Sequence, residues 1–249
     1  MKYRLFLTGS IVAAGFLGAV AADTTSDWGY AGATGPDNWG TLSQAYRTCA
    51  TGSLQSPIDI EGTDPVIMHT LEPQYRVTDL DLVNTGKTLR QSYGRDSYLN
   101  VGDKRFTLQG FELRSPSEHT VMGQSFPMEI QLMHTSDKGE TAIVSVLVEE
   151  GAENAAAAEF WQYLPLLNGQ SFRSADIKIN ARDLMPFSLS YYRYMGSLTT
   201  PPCTEGVHWY VLKTPITLSK EQIDAAYGIM GRSARPVQPR FHRMILDTK

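Results

Sequence analysis

The chain has 249 residues, 22 basic against 26 acidic side chains, and a formal net charge of −4. That length suits one domain with a large core. The acidic balance argues against nucleic acid as a partner.

Met1-Lys2-Tyr3-Arg4 opens the chain, followed by a mostly apolar run from Leu5 to Val20, then Ala19-Val20-Ala21 and the polar Asp23-Thr24-Thr25. A short basic stretch, an apolar stretch and a small-x-small site read as a secretory signal peptide. The apolar run is short for a bilayer span, no cysteine stands at the cleavage site for lipid attachment, and no later stretch is apolar enough to cross a membrane. The expected organisation is a signal peptide over 1–21, cleaved after Ala21 or Ala22, and a single domain over 22–249. The expected location is periplasmic or secreted. In such a compartment the two cysteines, Cys49 and Cys203, are expected to form one disulfide. The closed loop of about 150 residues would stabilise the fold by about 5 kcal/mol, less any strain.

Trp28-Gly29-Tyr30 and Gly35-Pro36-Asp37-Asn38-Trp39-Gly40 read as an irregular aromatic segment laid over the domain, because two tryptophans and a tyrosine are costly to leave in water. Tyr46 to Cys49 reads as a short helical turn. Residues 75–101 read as strands, with turns at Asn84-Thr85-Gly86 and Tyr93-Gly94-Arg95-Asp96. Thr141 to Val148 is apolar and β-branched throughout, which predicts a buried central strand. Glu153 to Leu164 has helical composition and ends before Pro165. Phe187 to Tyr194 reads as a further strand. Ser219 and Gln222 form the capping box of a helix that starts after Leu218.

The most informative stretch is Phe106 to His134. Strict alternation in its first strand places Phe106, Leu108, Gly110, Glu112 and Arg114 on one face, and Thr107, Gln109, Phe111 and Leu113 on the other. In its second strand Glu129, Gln131 and Met133 share a face opposite Met128, Ile130, Leu132 and His134. A sheet that points Glu, Arg, Glu and Gln one way is either solvated there or lines a polar cavity.

Ser115-Pro116-Ser117-Glu118-His119 and the Glu129-Ile130-Gln131 triplet resemble the metal-binding heart of the α-class carbonic anhydrases. That family carries His-x-His, Ser-Pro-Ser-Glu-His and Glu-x-His, and its leading histidines hold zinc. A second resemblance is Gly196-Ser197-Leu198-Thr199-Thr200-Pro201-Pro202-Cys203, with Glu205, Val207 and Trp209 after it. Gln55-Ser56-Pro57-Ile58-Asp59-Ile60 and Arg235-Pro236-Val237-Gln238-Pro239 complete the match, over about residues 27 to 245. The resemblance implies a mainly β (α+β) fold, a central twisted, mostly antiparallel sheet of about ten strands with short peripheral helices. It implies that Thr199 and the buried Glu118 are the pair that orients the attacking oxygen, that Glu129 and His119 support the centre, and that Ile143, Leu198, Val207 and Trp209 form the apolar wall for carbon dioxide. Met133 stands where the family usually has a smaller valine. Lys87 stands at the family's proton-shuttle histidine, and a lysine, charged at neutral pH, is a poor shuttle.

At the three zinc positions the chain has Glu112, Arg114 and Gln131. Arg114 cannot lend a lone pair. At 4 Å and an effective dielectric of 20, its repulsion of a dication is of order 8 kcal/mol. Gln131 offers only an amide oxygen, and His69, His119, His134, His208 and His242 show no ligand spacing. The sequence therefore predicts no zinc, and an exported carbonic-anhydrase-like chain that is not an enzyme and serves as a binding or structural module with a protein partner. Two other expectations stand beside this: carbon dioxide hydration through an unanticipated centre, and capture of bicarbonate or another small anion by Arg114.

Overall fold

The computed structural model describes residues 27–249. The signal peptide and its cleavage site lie outside the described residues. A 13-stranded sheet dominates. Through its middle, neighbouring strands run in the order Leu89–Ser92, Lys104–Arg114, Met128–Ser136, Thr141–Glu150, Glu205–Leu212 and Tyr191–Ser197. Most pairs are antiparallel. Thr141–Glu150 is the exception at the centre, parallel to both Glu205–Leu212 and Ile216–Leu218. The architecture is the one the sequence predicts, with thirteen strands in this sheet where about ten are expected.

The β-branched run of Thr141–Glu150 is buried on both faces. Ala142, Val144, Val146 and Val148 enter the larger apolar core. Ile143 and Leu147 enter a second core with Ile58, Val207, Trp209 and Val211. Full burial on both sides is why this strand shows no polar alternation. The helices Ala155–Trp161 and Lys220–Met230 cover the larger core, each started by a side-chain cap. Ser219 and Gln222 form the predicted capping box, and the Gln222 amide also donates to the Asn154 carbonyl at 3.0 Å, tying the two helix starts together.

Two local expectations need correction. Strict alternation along Lys104–Arg114 puts Phe106 and Leu108 with Glu112 and Arg114. The structure puts them in the larger core with Phe111 and Leu113. A one-residue bulge between Leu108 and Gly110 shifts the register against Met128–Ser136, and an extra residue moves every later side chain to the other face. Gly110 permits this: its φ is 154°, and a Cβ there would lie 2.2 Å from the Gln91 carbonyl oxygen. The second correction concerns Phe187, which is 98 % exposed and outside any strand. The strand there is Tyr191–Ser197, beginning where Glu205–Leu212 and the Thr248 hydroxyl are available to take up its backbone groups.

The N-terminal aromatic segment is laid over the body in short helical turns. Trp39 is fully buried and donates its indole N–H to the carbonyls of Gly29 and Thr34 at 2.9 and 3.0 Å. Trp28 and Tyr30 meet it edge-on. Beneath them Cys49 is disulfide-bonded to Cys203, 154 residues away, within the same small cluster.

A bridge over so long a loop restrains the unfolded chain strongly. Replacing both cysteines with alanine should lower the unfolding free energy in urea by about 2–5 kcal/mol. A loss below about 1 kcal/mol would show that the bridge contributes little beyond the packing around Trp39. Alkylation of the unreduced, denatured protein should label no thiol.

Candidate functional site

Register assembles the site. Glu112 lies opposite Gln131 and Arg114 opposite Glu129 across the central hairpin, and Gln131 lies opposite Ser145 on the next strand. Because of the bulge, all of these side chains leave the sheet on the face of the second core. They are sealed: Glu112, Arg114 and Gln131 are 5 %, 3 % and 2 % exposed.

Buried charges at this depth persist only when paired and hydrogen-bonded. Arg114 Nη2 donates to Glu112 Oε2 at 2.6 Å, and Nη1 donates to the Tyr30 hydroxyl at 3.3 Å. Its Nε lies 3.4 Å from both Gln131 Oε1 and Glu118 Oε2. The other Glu112 oxygen accepts from Arg90, whose Nε is 2.7 Å away and which reaches in from the cleft mouth. Gln131 Nε2 donates to Glu118 Oε2 at 2.8 Å and to Glu129 Oε1 at 2.9 Å. Glu118 Oε1 accepts the backbone N–H of Arg235 at 2.9 Å. Glu129 Oε2 takes the backbone N–H groups of Glu118 and His119, while Oε1 takes the Ser145 hydroxyl and lies 2.9 Å from His119 Nδ1. His119 Nε2 is 2.7 Å from the Tyr194 hydroxyl, which donates to Ser56.

The three carboxyls differ in their hold on a proton. Burial opposes ionisation of Glu112, but the Arg114 and Arg90 guanidiniums outweigh it and keep the carboxyl below its usual range. Burial also opposes ionisation of Glu129, and His119 with the backbone N–H groups brings it down to about 2. Glu118 is pushed up: burial dominates, Arg114 opposes it, Glu129 adds to it, and the Thr199 hydroxyl favours the charged form. Burial pushes the Tyr30 phenol up, so Tyr30 meets Arg114 as a neutral group.

The donor set does not fit zinc. A zinc site needs neutral imidazole, thiolate or carboxylate donors in a tetrahedron. Here the central side chain is a guanidinium without a lone pair, and both Glu112 oxygens are occupied by arginines. Among the described residues no three His, Cys, Asp or Glu side chains converge to hold a metal. His119 serves Glu129, and His134 lies on the opposite face, 2.7 Å from the Tyr75 hydroxyl, its pKa lowered to about 4 by burial.

Above this floor is a cleft of about 410 Å³, lined in part by Arg90, Ser92, Gln109, Glu112, Met133 and Leu198. Of the expected apolar wall, Leu198 borders the cleft with Met133, while Ile143, Val207 and Trp209 are buried behind it in the second core. Thr199 is buried near Glu118. Lys87 is not in the cleft lining. It pairs with Asp27 at 3.0 Å and lies over Trp28. Capture of an anion by Arg114, one of the sequence expectations, is disfavoured because Glu112 and Glu118 already hold that guanidinium.

Four participants escape the sequence reading. Arg90, Tyr30, Ser145 and Arg235 all bond directly to the network. Arg90 and Ser145 are legible only through strand register, opposite Glu112 and Gln131 respectively. Nothing in the sequence around Tyr30 signals its contact.

The chain matches the model of the eukaryotic-type carbonic anhydrase family over residues 34–248. It is 37 % identical over 228 residues to a carbonic anhydrase of Nostoc sp., covering 90 % of this chain and 86 % of that protein. It is 35 % identical over 235 residues to a carbonic anhydrase of Neisseria gonorrhoeae, covering 92 % and 91 %. The solved α-carbonic anhydrase of Thermovibrio ammonificans, in complex with the inhibitor sulfanilamide, is similar with a TM-score of 0.86 and 38 % identity, covering 89 % of this chain and 99 % of that one. These relatives overturn the expectation of a non-enzymatic binding or structural module, since proteins alike over nearly their whole length are named for the enzyme activity.

Three outcomes test the site. Arg114→Met should destabilise the fold by about 3 kcal/mol, because it leaves buried carboxylates without their cation. Adding Glu112→Gln should restore part of that loss, and a doubly substituted protein no more stable than the single variant would break the pairing assignment. Glu112 and Glu129 have lowered folded-state pKa values, so their stabilisation is present above the usual carboxylate range and is lost as pH falls toward 2. Glu118 acts in the opposite sense, contributing at low pH and losing its contribution as pH rises. The Glu118 contribution changes above the usual carboxylate range and those of Glu112 and Glu129 change below it, so the unfolding free energy should fall between about pH 4.5 and pH 2.5 in urea titrations. Glu112→His, Arg114→His and Gln131→His together should bind one equivalent of zinc by elemental analysis, because Glu118, Glu129 and the strand geometry remain to orient the ligands. A folded triple variant without zinc would show that the floor geometry depends on Arg114.

Proposed function

The chain belongs to the eukaryotic-type carbonic anhydrase family, and on that premise we propose that it acts on carbon dioxide and bicarbonate through a centre other than a three-imidazole zinc. The observation that carries this reading is the near full-length likeness to proteins named carbonic anhydrases, joined to a cleft whose floor keeps Glu118 beside Thr199. In this reading carbon dioxide rests against Leu198 and Met133 at the bottom of the cleft. A cleft water attacks its carbon. The water's proton passes by way of the Thr199 hydroxyl to Glu118, a carboxyl whose proton affinity is raised by burial. The product is bicarbonate, and the proton leaves the buried Glu118 back through the Thr199 hydroxyl to a fresh water of the cleft. Zinc is absent from the floor in this proposal, because a guanidinium holds its place.

The chain is further proposed to work in the periplasm or outside the cell. The leader-like N-terminus and the Cys49–Cys203 bridge support that location, since such bridges persist in oxidising compartments.

Stopped-flow hydration with a pH indicator, run in the presence of a metal chelator, tests the reading. Hydration above the uncatalysed rate is expected to survive chelation in protein without stoichiometric zinc, and Glu118→Gln should lower it by about tenfold or more. Hydration no faster than buffer alone would sink the proposal. So would hydration that vanishes with chelation and tracks zinc content.

A further inference from the structure

A second cavity, of about 350 Å³, opens elsewhere on the sheet and shares no lining residue with the cleft. Its size falls within the range of small-molecule sites. Its polar centre is Arg193, on Tyr191–Ser197, facing Tyr210 of the paired strand. The contacts of the Arg193 guanidinium among the described residues are neutral: His208 Nδ1 at 3.4 Å and the Tyr210 hydroxyl. Burial, with Lys104 and Arg193 nearby, holds His208 below its usual pKa, so it meets Arg193 as an acceptor without charge. No carboxylate among the described residues lies within ion-pair distance of Arg193. Lys104, on the same wall, is already committed to Glu140 at 2.7 Å.

The rest of the lining narrows the ligand. Met68 and Val101 supply an apolar side, and the Tyr191 and Tyr210 rings pack edge-on at 5.3 Å. The Tyr191 hydroxyl is spent on the His69 carbonyl at 2.6 Å, which leaves its ring as a surface and not as a donor. Asp103 also borders the cavity, and its charge disfavours a dianion. One uncommitted guanidinium, a neighbouring phenol and an apolar side make a receptor for a planar monoanion on an apolar body.

We propose that this cavity is a second ligand site, which binds a small aromatic monocarboxylate with its carboxylate on Arg193 and Tyr210 and its ring against Met68 and Val101. The site is separate from the carbon dioxide cleft, and the proposal does not rest on the activity assigned there.

Benzoate is the probe, titrated into the purified protein by calorimetry and by ligand-observed NMR. Saturable binding at one site is expected, with benzamide, the neutral isostere, bound at least tenfold more weakly. Arg193→Gln should weaken benzoate at least tenfold and Tyr210→Phe by a smaller factor. Arg193 is only partly buried, and unchanged circular dichroism would confirm that the variant is folded. Arg90→Gln, at the mouth of the other cleft, should leave benzoate affinity as it is. Equal affinity for benzoate and benzamide would overturn the proposal. So would binding that survives Arg193→Gln, binding abolished by Arg90→Gln, or no saturable binding at the solubility limit of benzoate.

Discussion

The buried guanidinium of Arg114 constrains everything around it. Its charge cannot be removed at any pH the protein meets, and at 3 % exposure water cannot solvate it. The surrounding fold must therefore supply acceptors from several directions. Glu112 comes from the same strand, Gln131 from the next, Glu118 from the following loop and Tyr30 from the N-terminal segment. Each of those groups then needs its own partner, which draws in Arg90, Glu129 and the backbone of Arg235. One non-negotiable charge thus organises side chains from distant parts of the sequence into a single network.

Around that centre is a frame of a different character. Glu129 is held by two backbone N–H groups, a serine hydroxyl and His119, and His119 in turn meets Tyr194 and packs against Trp209. These contacts knit the Ser115–His119 loop to four strands. Glu129 and His119, which the resemblance assigns to support of the centre, therefore have a structural task of their own in this fold.

Regular features of the fold were legible in the sequence and contingent ones were not. The apolar run over 141–148 and the capping box at Ser219 and Gln222 depend on neighbours in sequence, so local chemistry reveals them. The bulge at Gly110 depends on a close approach to the Gln91 carbonyl from another strand, and local alternation gave Phe106 and Leu108 the wrong face. Phe187 has the residue type of a strand but no partner to pair with. Of the site, the chemical character of positions 112, 114 and 131 was readable, and so was their common face. The identity of their outer partners was not, because Arg90, Tyr30 and Arg235 arrive from 22, 84 and 117 residues away. The activity class was not legible at positions 112, 114 and 131 for a related reason: the likeness to named enzymes extends over the whole chain and does not reside in one centre.

Arg235 carries one more consequence. Its guanidinium donates to the Gln55 side chain and to the carbonyls of Ser56 and Cys49 at 2.8–2.9 Å, and its backbone N–H caps Glu118. Residues 49–56 and the floor of the cleft are therefore joined by a single residue that lies 179 to 186 positions further along the sequence. Contacts of such long sequence separation form late and slowly, so the Cys49 and Ser56 carbonyls and the Glu118 carboxyl gain this partner only after distant segments have come together. Completion of the floor is thus tied to docking of the segment around Cys49, and one residue makes both events the same step.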